Sequence, residues 1–397
     1  MKRLLLALFV AALCIFNADA QKKIPHSIRL NSEVKTARTE IILPQVKGFN
    51  CYKGDFHVHT TYSDGRVNPA GRVVEAWIDG LDIIAITDHY ENHRGVKQFL
   101  KVTAPYNEDG KPTEYLKVNA ANGMRIDFNA IHEEAVSQAT SSGFPMLIVK
   151  GIEMARNAQS HGHFNCLFLK DLNTVYDPNM AEAFRKVKKQ KGIIIHNHPA
   201  WRRKTSDKTE FHQQVYGEGL IDGVEVVNGG NFYPHIVRRC VDEKLAMFAN
   251  TDAHSVTTQA IYTAGSHRTM TLVLAKELTE KAIKDAILKC RTIAYARGCL
   301  IGEEMWLREF INAAVDCKMV KEDAKKGNRT YLLTNMSSIT YKLRRGKTIY
   351  ELEPFKSLMV SFGKNKKTGE YTTPKFRVDN MWHVDYQHPT IEFALDK

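Results

Sequence analysis

Four short apolar runs in this chain end in histidine or carboxylate, and a fifth, strand-like segment carries two histidines. This recurrence constrains the fold more than any other feature. Ile83-Ile84-Ala85-Ile86 leads into Thr87-Asp88-His89, and Leu147 to Ile152 leads into Glu153. Ile193-Ile194-Ile195 leads into His196-Asn197-His198-Pro199, and Met247 to Thr251 into Asp252-Ala253-His254. In Gly54-Asp55-Phe56-His57-Val58-His59-Thr60 the histidines stand at i and i+2, which on a strand puts both imidazoles on one face. Helical stretches lie between the runs, including Asn129 to Thr140 and Met180 to Lys191. The alternation predicts a parallel α/β fold from about Tyr52 to Cys299. In a barrel of parallel strands the C-terminal ends converge on one rim, where ionisable groups are costly unless they pair or coordinate. Imidazoles mixed with hard carboxylates suit Zn, Mn or Fe rather than a thiolate-seeking ion.

The 397 residues exceed the size at which a single core usually stops growing, so a second domain is expected. After Glu303 the texture changes: a helical stretch, Glu304 to Val315, precedes short strand-like runs separated by Gly- and Asn-bearing turns. The expected division is a signal peptide over 1–20, an extension over 21–50, a catalytic α/β domain over 51–300, and a helix plus a small β-sandwich-like module over 301–397. The leader reading rests on Lys2 and Arg3, the apolar run Leu4 to Phe16, and Ala18-Asp19-Ala20. That run is too short to span a bilayer. It predicts an exported protein, periplasmic or extracellular, with no transmembrane segment once the leader is removed. The formal charge of +12 favours anionic partners by steering, although runs such as Arg185 to Lys191 read as the solvated face of a helix. No CxxC or Cys/His zinc spacing occurs among the six cysteines after residue 20, and no disulfide is assigned. Neither a Gly-x-Ser-x-Gly elbow nor a phosphate-cradling Gly-rich loop is present.

These motifs, in this order, resemble the PHP (polymerase and histidinol phosphatase) superfamily of metal-dependent phosphoesterases. The resemblance is carried by His57-x-His59-Thr60 with Ser63-Asp64-Gly65, by Thr87-Asp88-His89, and by Gly151-Ile152-Glu153 with Gly162-His163-Phe164-Asn165. His198-Pro199 and Asp252-Ala253-His254 complete it. The segments Asn197 to Trp201 and Val224 to Gly229 are similar to those of an exported bacterial phosphodiesterase branch that also carries a C-terminal β domain. The resemblance implies a distorted (β/α)7 barrel holding two or three divalent ions. It places His57, His59, Glu153 and Asp252 on a first ion, has Glu153 bridge to a second held by His163 and His198, and gives Asp64, His89 and His254 to a third. His161 and His196 each precede an assigned ligand by two residues and are open alternatives to His163 and His198.

Closely spaced ions make hydroxide available near neutral pH and clamp phosphoryl oxygens, so no protein nucleophile is needed. Asp88 is expected to assist catalysis by orienting a ligand or water, and Arg156 to clamp a phosphate oxygen. Asn165 and Trp201 are expected substrate contacts, Asn228 is expected to hydrogen-bond either substrate or a residue behind the metal ligands, and Glu225 is expected to be a buried acid outside the ligand set. The long segment Thr103 to Asn122 reads as a specificity lid. The expected activity is hydrolysis of small organic phosphodiesters. The alternatives are a secreted nuclease or phosphomonoesterase with the same site, or a non-catalytic metal-dependent binding protein. Nucleic acid is the less favoured partner, because no aromatic and Arg-rich single-strand platform is visible.

Overall fold

The apolar runs become strands of one continuous curled sheet in the computed structural model, which describes residue 27 and residues 38–90, 127–257 and 267–394. The leader and the 103–122 lid segment lie outside these residues. The strands are β1 (Asn50–Asp55), β2 (Ile83–Ile86), β3 (Leu147–Ala155), β4 (His163–Leu167), β5 (Ile193–His196), β6 (Gly223–Asn228), β7 (Asn231–Phe232), β8 (Ala246–Asn250), β9 (Met270–Ala275), β10 (Thr292–Ala296) and β11 (Cys299–Ile301). Helices α1 (Pro69–Ile78), α2 (Phe128–Ser141), α3 (Met180–Lys189), α4 (Glu210–Gly217), α5 (Pro234–Glu243) and α6 (Glu280–Leu288) connect them. Local chemistry sets the helix starts: Asn68, Asp127 and Asn179 each accept backbone N–H bonds at an N-cap, and Pro69 supplies a preset φ at the first turn of α1. In α3, Met180, Ala183, Phe184 and Val187 pack inward, which leaves the basic run on the outer face.

The strand order is β11-β10-β9-β1-β2-β3-β4-β5-β6, with β6 also pairing β7 and β8. The pairs β1–β2, β2–β3, β5–β6 and β6–β8 are parallel. The parallel pattern read from the sequence is interrupted at two places. β4 runs antiparallel to both β3 and β5, and β9 runs antiparallel to both β1 and β10. The linker 156–162 is shorter than the dozen or so residues a parallel crossover requires, so β3 and β4 can only form a hairpin. The sheet curls into a distorted barrel whose seam lies at β8. There Met247 N donates to Thr292 Oγ1 (3.0 Å) and Ala249 N to Thr271 Oγ1 (2.9 Å), so threonine hydroxyls stand in for a backbone ladder. Beyond the strand ends a parallel bridge between Val58 and Ala253 closes the rim.

After the barrel come α7 (Glu304–Ala314), β12 (Val315–Asp323), β13 (Asn328–Asn335), β14 (Tyr341–Arg345), β15 (Thr348–Leu352), β16 (Ser357–Gly363), β17 (Lys375–Val378), β18 (Met381–Trp382) and β19 (Thr390–Glu392). The sheets β12-β13-β16 and β15-β14-β17-β19 face each other as a small sandwich. Alternation buries Tyr331 and Leu333 from one sheet against Leu343 and Phe376 from the other. The strand β18 leaves the sandwich and pairs with β11, and one apolar cluster runs from Leu272 and Leu300 of the barrel through Phe310 to Tyr331 and Phe376. No described helix is long and apolar enough to cross a membrane.

Candidate metal centre

Nine side chains from six strand ends and the turns beyond them meet at the rim. His57 and His59 follow β1, and their Nε2 atoms lie 3.1 Å apart. Asp252 Oδ1 lies 3.2 Å from the first and 3.1 Å from the second. Glu153 reaches His57 Nε2 with Oε1 at 3.3 Å and His59 Nε2 with Oε2 at 3.5 Å. Ligands bound at about 2.0–2.2 Å around a tetrahedral ion stand roughly 3.3–3.6 Å from one another, so this spacing suits an ion between them.

Glu153 also lies 3.3 Å from His163 Nδ1 and 3.7 Å from His198 Nε2. His89 Nδ1 stands 2.7 Å from Glu153 Oε2, while its Nε2 is 3.5 Å from Asp64 Oδ2. His254 Nε2 is 3.2 Å from Asp64 Oδ1. Despite the short separation, Glu153 Oε2 and His89 Nδ1 are both buried without a hydrogen bond. Buried polar atoms that lack hydrogen bonds are costly, and two such atoms within one cluster of imidazoles and carboxylates fit a site built for a cation. The residues present therefore fit divalent ions.

Electrostatics agree. Burial alone would raise the carboxyl pKa of Glu153, but His89, His57 and His163 outweigh it and hold Glu153 well below the usual range. Burial would likewise raise Asp252, and His57, His59 and His198 hold it well down. Burial disfavours charge on His57, yet Asp252, Glu225 and Glu153 raise its pKa well above normal. His59 is pushed down to about 4 by burial and by neighbouring His89. Without an ion, the carboxylates partly charge a crowd of imidazoles.

Buried partners fix the orientation of these side chains. Glu225 accepts from His57 Nδ1 (2.8 Å), His198 N (2.8 Å), Asn228 Nδ2 (2.9 Å) and Asn250 Nδ2 (3.0 Å), which leaves His57 Nε2 as the free lone pair. Asn197 Nδ2 donates to Glu153 Oε1 at 2.7 Å. The fully buried Arg72 donates to the carbonyls of His59 (2.8 Å), Ala253 (2.8 Å) and Ser255 (2.9 Å), tying together the turns that carry four of the nine side chains. Arg268, also fully buried, bridges Asp55 at 2.8 Å and Asp79 at 3.0 Å, and Asp55 in turn accepts from Thr251 N at 3.1 Å. A Cβ at Gly65 would stand 2.6 Å from the His59 carbonyl, so the Asp64 turn can pack on His59 only with glycine there. His198 (φ 25°) and Asp252 (φ 55°) are non-glycine residues held in the left-handed region, a strain typical of functional sites.

Of the alternative histidines, His196 turns away to Tyr216 OH (2.8 Å), and His161 packs on Phe211 with Nδ1 toward Ser160 Oγ (2.8 Å). His163 and His198 are the ones that reach the cluster. An open cleft of about 620 Å³ lies over it, and Arg156, Trp201 and Arg202 line its rim. Arg156 donates to the Asp177 carbonyl at 2.9 Å.

Asn165, Asn228 and Asp88 lie behind the cleft, which corrects the expected substrate contact of Asn165 and leaves Asn228 and Asp88 bonded to the residues around the cluster. Asn165 is fully buried and bonds the Phe56 carbonyl at 2.9 Å, because its place in β4 points it into the barrel. Asn228 is held at 2.9 Å to Glu225 and 3.3 Å to Asp252. Asp88 accepts from Thr60 N (2.7 Å), Thr60 Oγ1 (2.6 Å) and Ser63 Oγ (2.5 Å), so it shapes the turn behind His59. Sequence reasoning missed Asp55, Arg72 and Arg268. Asp55 was accessible, since it shares the period-two face of His57 and His59, but a lone arginine on a helix carries no such signal.

No protein-family model matches the chain, and no curated protein does. Among solved structures it is similar to a two-domain protein containing a predicted PHP-like metal-dependent phosphoesterase from Bacteroides vulgatus. Identity is 30%, the TM-score is 0.76, and the match covers 90% of this chain and 99% of that one. It also has a remote likeness to the lesion-specific endonuclease PfuEndoQ of Pyrococcus furiosus, at 15% identity and a TM-score of 0.37, covering 64% of this chain and 59% of that one.

Proposed function

Because this chain belongs to the PHP-like metal-dependent phosphoesterases, we propose that it hydrolyses small organic phosphodiesters at a centre of two or three divalent ions, Zn, Mn or Fe. The observation that supports this most is Glu153, whose two oxygens stand within 2.7–3.7 Å of five imidazoles. On this reading His57, His59, Glu153 and Asp252 hold one ion, Glu153, His163 and His198 a second, and Asp64, His89 and His254 a third. Bound ions supply an acidified water and the positive charge that in-line phosphoryl displacement needs. Arg156, on the cleft rim, binds a phosphoryl oxygen and stabilises charge that grows there in the transition state. The Trp201 ring, 4.9 Å from His163 and 5.4 Å from His198, walls the cleft and excludes water from one side of the substrate. Few cations other than Arg156 and Arg202 line the cleft, which favours the single charge of a diester over the extra charge of a monoester.

The test is to load purified protein with each metal in turn and assay bis(p-nitrophenyl) phosphate, p-nitrophenyl phosphate and single-stranded DNA. A higher kcat/KM for the diester is expected; strong preference for the monoester or for DNA removes the assignment. The leader-like residues 1–20 support export of the mature chain, and N-terminal sequencing of native protein is expected to begin at Gln21.

A further inference from the structure

We infer that Arg202, stacked on Trp201, forms an outer subsite for a second anionic group, carboxylate or phosphate, on the alcohol portion of the substrate. This rests on the phosphodiester reading and extends it from reaction to substrate class. The Trp201 ring lies against His163 and His198, and the Arg202 guanidinium sits 4.4 Å above the centre of that ring. The cation is thus one aromatic ring farther out than the metal-facing imidazoles, while lining the same cleft. A phosphoryl group on the ions leaves this position for a group beyond the scissile ester.

Stacking covers a face of the guanidinium and leaves its in-plane N–H edges for a planar or tetrahedral anion. No described carboxylate lies within 4.0 Å of it. Arg202 has φ 54°, in the left-handed region that a non-glycine residue adopts at a cost, and the side-chain amide of Gln159, which lines the same cleft, donates to its carbonyl.

The test uses three p-nitrophenyl phosphodiesters whose second alcohol ends in a carboxylate, a phosphate or a neutral amide. With metal-loaded wild type, KM for the charged tails is expected to be about fivefold lower than for the amide, the scale of a solvent-exposed ion pair. Arg202→Gln is expected to abolish that preference, and Arg202→Lys to retain only part of it, because the fork and the stacking are lost. A preference for one charged tail over the other identifies which anion the subsite takes. Equal KM values across all three tails in wild type, or an undiminished preference in Arg202→Gln, overturn the inference. If none of the diesters is hydrolysed, the phosphodiesterase reading fails separately. The subsite is then decided by calorimetric titration of wild type and Arg202→Gln with non-hydrolysable phosphonates bearing the same tails. Tail-independent affinity in wild type rejects it.

Discussion

Glu225 lines no cleft, yet its carboxylate sets which nitrogen of His57 carries a proton. Replacing it with glutamine leaves the bulk unchanged but removes the charge that holds Nδ1–H. Glu225→Gln is therefore expected to weaken metal affinity by roughly 10- to 100-fold with the far-UV circular dichroism unaltered. Competition with a chromophoric chelator measures this, and unchanged affinity removes the role. Glu153 serves more neighbours than Asp64, so Glu153→Gln is expected to lose more bound metal per chain than Asp64→Asn, as read by elemental analysis. Equal losses argue against bridging. Arg156→Ala is expected to lower kcat/KM on the order of tenfold for diester and monoester alike, since it acts on developing phosphoryl charge. At this scale the sequence was informative wherever period or recurrence applied: the His57/His59 pair and His89, Glu153, His198, Asp252 and His254 at the ends of the runs converge in space. It misled at Asn165, which was expected to contact substrate but bonds the Phe56 carbonyl inside the barrel. Residues two apart on a strand share a face, but the space beyond Asn165 is barrel interior.

Elements are locked to one another by buried charge. Arg268, just ahead of β9, joins Asp55 at the end of β1 to Asp79 at the end of α1, and Asp55 also holds Thr251 after β8. Arg268→Met would leave two buried carboxylates without their cation, an expected loss of about 3–5 kcal/mol. Denaturant unfolding should show this, with much of the loss recovered when Asp55→Asn and Asp79→Asn are added. If Arg268→Met unfolds at the wild-type midpoint, the clamp is not structural. The existence of most barrel elements was legible from apolar runs and helical periodicity. Strand direction was not, because an apolar run looks the same in either sense. Only the length of linker 156–162 could have revealed the β3–β4 hairpin.

Across the whole molecule, metal and fold are linked. Removing ions would leave Glu153 and Asp252 crowded by buried imidazoles, with Glu153 Oε2 and His89 Nδ1 lacking a hydrogen bond. Dialysis against chelator is accordingly expected to lower the Tm, and re-addition of metal to restore it. At an ion concentration a thousandfold above Kd, the linkage contributes about 4 kcal/mol. An identical Tm with and without chelator contradicts a stabilising centre. The seam at β8 carries one more implication, about time. The cylinder closes between Asp55 and Thr251, 196 positions apart, and the ligand set closes with it at His57 and Asp252. During synthesis the growing chain presents only fragments of the set, a His-x-His here and a lone glutamate there, each a weak chelator. The complete cage appears only after residue 254 has emerged and found the first strand. Ion capture thus falls at the end of assembly, and a chain interrupted before that point has no completed cage to hold a metal it cannot use.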